Sequence, residues 1–223
     1  MAGIRNKNAR SQIENIKRTY ILYPMTAPIL TRHRTTPDAS VAPAPDMALL
    51  RGRLHELCGP SRRVAALWLA GAMQGPVLWI SPAWGTEAIN PCGMVGWVDP
   101  GRFLFASPGR DEDILWCTEE ALRSGAVALV VADLRGPPGL VPVRRLHLAA
   151  QSSGAAPLGL ILTPGDGGAP GVESRWHTAP DHKGAQQVWR LERRRARALP
   201  PKAWAMHRHE GRLHLTPDGA PEG

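Results

Sequence analysis

The sequence predicts an α/β fold: a mainly parallel sheet with helices on both faces, finished by an antiparallel C-terminal extension. Three stretches carry that prediction. Residues 54–80, LHELCGPSRRVAALWLAGAMQGPVLWI, read as strand, tight turn, helix and strand, a βαβ unit. Residues 126–134, AVALVVADL, are an unbroken apolar run ending in an acid, the pattern of a central parallel strand buried on both faces. From Ser174 onward the period becomes two, which marks antiparallel strands with one wet face.

The elements follow in order. Residues 1–48 are basic at the start and rich in Pro, Ala and Thr towards the end, a composition that is expected to stay disordered. Met25 and Met47 are alternative starts to Met1, and residues 1–24 read as a product of gene-start choice. An α/β core is expected over residues 49–172. In its βαβ unit, Gly59 and Pro60 end the first strand, because Gly takes special dihedrals and Pro lacks an N–H. Val64, Leu67, Trp68, Gly71 and Ala72 then recur at helical spacing, and residues 77–80 form the next strand. Residues 81–99 read as loop with one helical turn, and residues 103–106 as a third strand. Residues 111–124 form the clearest helix, with acids in the first turn and Gly125 as its stop. A helix over 143–152 and a strand over 158–162 complete this half. Residues 164–171 read as a flexible glycine-rich surface turn. Residues 173–216 make the antiparallel extension, and 217–223 a frayed tail. Trp68, Trp79 and Trp116 are expected in the core.

The turn after the first strand of that unit is where a P-loop would carry G-x-x-x-x-G-K-[ST]. It reads GPSRRVAAL instead, without the second Gly, the Lys or the hydroxyl. Arg62 and Arg63 stand at the following helix N-terminus, where free N–H groups favour an anion. As simple surface cations they would be solvated. In the extension, Arg175, Trp189, Arg190, Arg193, Arg194, Arg195 and Arg197 cluster on alternating strands, beside Trp176 and Trp204. Two readings stand. The arginines contact a polyanion while tryptophans stack bases, or one strand face buries tryptophan and the other solvates arginine. His207 and His209 alternate on a strand, but no cysteine or paired acid accompanies them, and no metal site is expected. Ser61 lacks a G-x-S-x-G context, so no nucleophile is expected.

Lys and Arg exceed Asp and Glu by 27 − 19 = 8, which suits a polyanionic partner or a basic tail on an ordinary protein. The three cysteines, Cys58, Cys92 and Cys117, are far apart in sequence and contain no C-x-x-C, consistent with a reducing cytoplasm. No apolar run reaches the ~18 residues of a membrane span.

The strand–ELCGP–helix, PVLWI, EEALRSGA, VALVVADL, RRLHLAAQSSG and LGLIL segments resemble the ATPase core of RecA. LHELCGP, GPVLWI, WVDPGRFLF, LWCTEEALRSGAVALVV, RRLHLAAQ and the tail SRWHTAP…WRLERRRARALPP more closely resemble the ImuA family of SOS-mutagenesis proteins, over residues 49–215. The resemblance implies a RecA-like fold and places Asp133 at the Walker B position, beside Gly59, Arg62 and Arg63 as a vestigial nucleotide site. The position of RecA's catalytic Glu reads Ser81-Pro82-Ala83, and Glu87 is too far along to stand for it. Three parts of ATP chemistry are thus degraded together, implying no catalytic residues and no ATP cofactor. The implied function is a non-catalytic accessory in damage-induced translesion DNA synthesis. Its implied partners are an ImuB-like Y-family polymerase relative and an error-prone DnaE-type polymerase, with RecA or single-stranded DNA as further candidates. The rival readings are a SulA-like cell-division inhibitor and an active RecA-type ATPase. The core is expected to be a rigid platform, and the extension to meet the partner.

Overall fold

The computed structural model describes residues 40–44, 46–85, 89–184, 186–197, 199–209 and 212–218, the side chains of His209, Arg212 and Leu213 excepted. The expected arm up to residue 39 and the tail from 219 lie outside the described residues.

Strands β1 (Ser40–Ala44) and β2 (Met47–Leu50) form an antiparallel hairpin. Strand β3 (Leu54–Cys58) leads through a three-residue turn into helix α1 (Arg62–Gly71) and strand β4 (Val77–Ile80). One helical turn, α2 (Pro91–Met94), precedes β5 (Phe103–Ala106). Helix α3 (Asp111–Ser124), β6 (Leu129–Asp133), α4 (Leu140–Ser152) and β7 (Leu158–Thr163) follow. Strands β8 (Ser174–Pro180), β9 (Val188–Ala196), β10 (Lys202–His209) and β11 (Arg212–Pro217) close the fold. Helix α3 starts with Asp111, Glu112 and Asp113 against its dipole and stops at left-handed Gly125, as its sequence predicts.

The large sheet has nine strands in the order β11-β10-β9-β8-β3-β7-β6-β4-β5. From β5 to β8 every neighbouring pair is parallel, and from β8 to β11 every pair is antiparallel. The period-2 pleat divides its residues cleanly. Leu57, Val77, Trp79, Val131, Leu160 and Leu162 face α1, the β1–β2 hairpin and the tryptophans of the extension. Leu54, Ile80, Val130, Ala132 and Ile161 face α3 and α4. Helices therefore cover both faces, and the central strands β3, β6 and β7 are buried throughout.

Several expectations change. The ordered chain begins before residue 49: the hairpin buries Val41, Ala44, Met47 and Leu49 in the core, where a Pro/Ala-rich composition gave no period to read. Trp116 is 60 % exposed. Ile114, Thr118 and Leu122 form the inward stripe of α3, and two residues past Ile114 is about 200° around the helix. Helix α4 starts at Leu140, three residues early, because Pro142 is tolerated in a first turn whose N–H groups are unpaired anyway. The extension is no separable appendage, since Trp176, Trp189, Leu191, Trp204 and Met206 belong to the same core cluster as β4 and α1.

Candidate functional site at the strand ends

The parallel strands β3, β7, β6, β4 and β5 end side by side in that order, and parallel sheets place ligand sites at such carboxyl ends. A cavity of about 370 Å³ opens there, lined by Arg62, Arg63, Trp84, Ser107, Asp133 and Arg135 among others. The fold thus brings together three of the four residues singled out as a vestigial nucleotide site. Asp133, only 5 % exposed at the end of β6, accepts a hydrogen bond from Arg63 Nε at 2.6 Å. Arg62 Nη2 stands 3.7 Å from its other oxygen. The acid that the RecA resemblance sets at the Walker B position is bound by the chain's own arginines. Ser81, at the expected catalytic-Glu position, lines the same cavity, and its N–H is spent on Ala106 O.

Gly59, the fourth residue, holds the turn. Its φ is +91°, a region that favours glycine. A Cβ there would lie 2.5 Å from Thr178 O and 2.7 Å from His177 Nε2, because β8 passes directly over the turn. The Ser61 N–H donates to Thr178 O at 3.0 Å, and the Arg62 N–H to Gly59 O at 3.3 Å. Two amides at the start of α1 that would serve an anion are therefore already satisfied. As a phosphate cradle the turn is short and closed.

The arginine cluster of the extension separates into individual roles. Arg175 is tied to Glu56, with Nε 2.5 Å from Oε2. Arg190 pairs with Glu192 and Asp218, and Arg194 with Glu192 and Asp166. Arg193 is buried. A β-bulge between Trp176 and Arg175 of β8 shifts the register of β9, setting Arg193 opposite Trp176. Its guanidinium lies 5.6 and 5.2 Å from the rings of Trp176 and Trp204, and it donates to Pro200 O and Asp46 O. Arg197 is 75 % exposed and 3.9 Å from Glu173; Arg195 is exposed. Trp176, Trp189 and Trp204 are all core residues, so their faces are closed to bases. The stacking part of the first reading is closed by this burial, while the arginines divide between ion pairs with the chain's own acids, the buried Arg193 and the exposed Arg195 and Arg197.

Two buried polar groups in β3 escaped the sequence reading. Glu56 is fully buried and accepts from Thr163 Oγ1 at 2.7 Å, from the Gly168 and Ala169 amides and from Arg175. It pins the loop at 164–171, which is therefore fixed and not a free surface turn; Ala169 is wholly buried. A charged residue within a strand buried on both faces demands a counter-charge, and that was the available signal. His55 Nδ1 accepts from Ser174 Oγ at 2.7 Å, Ser174 Oγ accepts from Trp176 Nε1, and His55 Nε2 donates to Leu50 O at 3.0 Å. Burial pushes the His55 pKa down to about 4. Cys58 is buried at the end of the same strand, its thiol donating to Trp176 O, and burial raises its pKa to about 12, an unreactive thiol.

Among the described residues, no three His, Cys, Asp or Glu side chains come together as a metal-binding group, and no helix is long and apolar enough to cross a membrane. No protein-family model matches the chain, and no curated protein matches it.

Proposed function

We propose that this chain is a non-catalytic accessory protein of damage-induced translesion DNA synthesis, built on a RecA-like core that has lost its ATPase. Its partners on this reading are an ImuB-like Y-family polymerase relative and an error-prone DnaE-type polymerase, in the cytoplasm. The family part rests on the ImuA-like segments. The non-catalytic part rests on one observation: Arg63 closes on Asp133 where a P-loop lysine, phosphate and magnesium would meet. The satisfied amides at Ser61 and Arg62 support it from the backbone side. A partner has one open sheet edge in the extension, β11, where unpaired backbone groups invite strand addition.

Two measurements test the reading. Phosphate release from ATP, with and without single-stranded DNA, is expected to stay at the buffer level. Turnover that disappears in Asp133→Ala would overturn it. A pull-down is expected to retain the ImuB-like protein and not the tubulin-like division protein. The reverse result would favour the division-inhibitor reading.

A further inference from the structure

We infer that the cavity at the ends of β4, β5 and β6 is a docking pocket for an acidic segment of a protein partner. One carboxylate sits between Arg135 and the Arg62–Arg63 pair, and an adjoining apolar side chain lies against Trp84 and Pro82. The inference rests on the reading above, that this site has left nucleotide chemistry, and it says what the site took up instead.

Charge comes first. Among the described residues that line the cavity, Asp133 is the one carboxylate, and the guanidinium groups of Arg62, Arg63 and Arg135 stand around it. Asp133 is committed to Arg63, with Arg62 in its outer reach. Arg62 Nε is buried without a hydrogen-bond partner. Arg135 is held over the Trp84 ring at 4.2 Å, and among the described residues no carboxylate pairs with it. A guanidinium fixed by stacking is pre-organised, with its planar fork free for a carboxylate. Trp84 is itself 43 % exposed, so the same wall offers a wet aromatic surface. Aromatic and arginine side chains in one concave site are the usual composition of an interface anchor point.

Size and surroundings select among anions. A cavity of about 370 Å³ takes one or two side chains. The closed turn at Gly59 already uses the Ser61 and Arg62 amides, two of those that a polyphosphate would draw on. A nucleic-acid strand needs a track of cations. Beyond the cavity, Arg175, Arg190 and Arg194 are paired with Glu56, Asp166, Glu192 and Asp218 and Arg193 is buried, which leaves Arg195 as the exposed arginine of β8 and β9, a point and not a track.

The test uses the full chain and random dodecapeptides displayed on phage, followed by fluorescence anisotropy of the recovered peptides. Recovered sequences are expected to carry Asp or Glu next to Leu, Ile, Phe or Trp. Trp84→Ala and Arg135→Gln, both at exposed positions, should each weaken binding about tenfold, as should the Asn/Gln counterpart of the peptide. Recovery without acidic enrichment, or unchanged affinity in both variants, overturns the inference and leaves the proposed function standing. A 15-nucleotide single strand that binds in an Arg135-dependent way while no acidic peptide does also overturns it, with nucleic acid as the occupant. Saturable displacement of the peptide by Mg-ATP would instead strike the proposed function, since the cavity would then still be a nucleotide site.

Discussion

Asp133 shows how one neighbour commits a carboxylate at a strand end. Its carboxylate stands at the end of β6, where the sequence places it, but Arg63 neutralises it from α1. Asp133→Asn keeps the shape and removes the charge, leaving two arginines facing each other. With Arg63 29 % and Arg62 18 % exposed, solvent carries part of the cost. The expected loss is about 1–2 kcal/mol in urea unfolding, with phosphate release unchanged. His55 gives a second prediction, through pH. Burial is the main cause of its depressed pKa, with the Leu50 carbonyl acting against it and His147 and Arg53 adding to it. The unfolded chain takes up a proton near the ordinary 6.5 that the folded chain refuses until about 4. Stability from this group is therefore complete above pH 6.5 and declines as pH falls towards 4, by up to about 3 kcal/mol. Unfolding titrations of the wild type and of His55→Gln between pH 7 and pH 4.5 check this; equal slopes would refute it.

At the level of elements, β3 carries more than its apolar residues announce. Leu54, Leu57 and Cys58 made it legible as a strand, but Glu56 decides what packs above it. Glu56→Gln would leave Arg175 without its counter-charge and loosen the loop at 164–171. A loss of about 3 kcal/mol is expected, together with faster hydrogen exchange at the Gly168 and Ala169 amides, which now donate to the carboxylate. The β1–β2 hairpin was illegible for a different reason. Its inward residues Val41 and Ala44 lie in a proline-rich stretch, and its anchor is long-range: Asp46 Oδ2 accepts from Trp204 Nε1 at 3.0 Å and Lys202 Nζ at 3.1 Å. A chain starting at Met47 lacks β1 and Asp46 and is expected to lose on the order of 3 kcal/mol, read as a lower urea midpoint.

For the whole molecule, alternation was sufficient to foretell that the sheet turns antiparallel after Ser174. It did not foretell that β8 first pairs in parallel with β3, since pairing partners are set by contacts across more than a hundred residues. That single pairing welds the extension to the core. A chain cut after Pro164 would strip Trp176, Trp189 and Trp204 from the cluster around β4 and leave Glu56 buried without Arg175. Such a fragment is expected to show no cooperative melting by circular dichroism; a sharp transition near that of the full chain would refute this. The cavity at the strand ends was legible in part. Gly59, Arg62, Arg63 and Asp133 stood out by position, whereas Trp84 and Arg135 belong to loops with no period and meet only because β4 and β6 are neighbours.

The strand laid across the turn at Gly59 also makes a phosphate loop hard to install at this site. Placing lysine and threonine at the start of α1 would replace side chains only. Three residues, Gly59 to Ser61, span the gap between β3 and α1, where a phosphate loop needs a longer path. The Thr178 carbonyl occupies the room that path would need. A graft would have to lengthen the turn and lift β8 away from β3 at once, and lifting β8 withdraws Trp176 and Arg175 from their places. A phosphate loop is barred at this turn by main chain and not by side-chain chemistry, so no exchange of side chains alone would create one here.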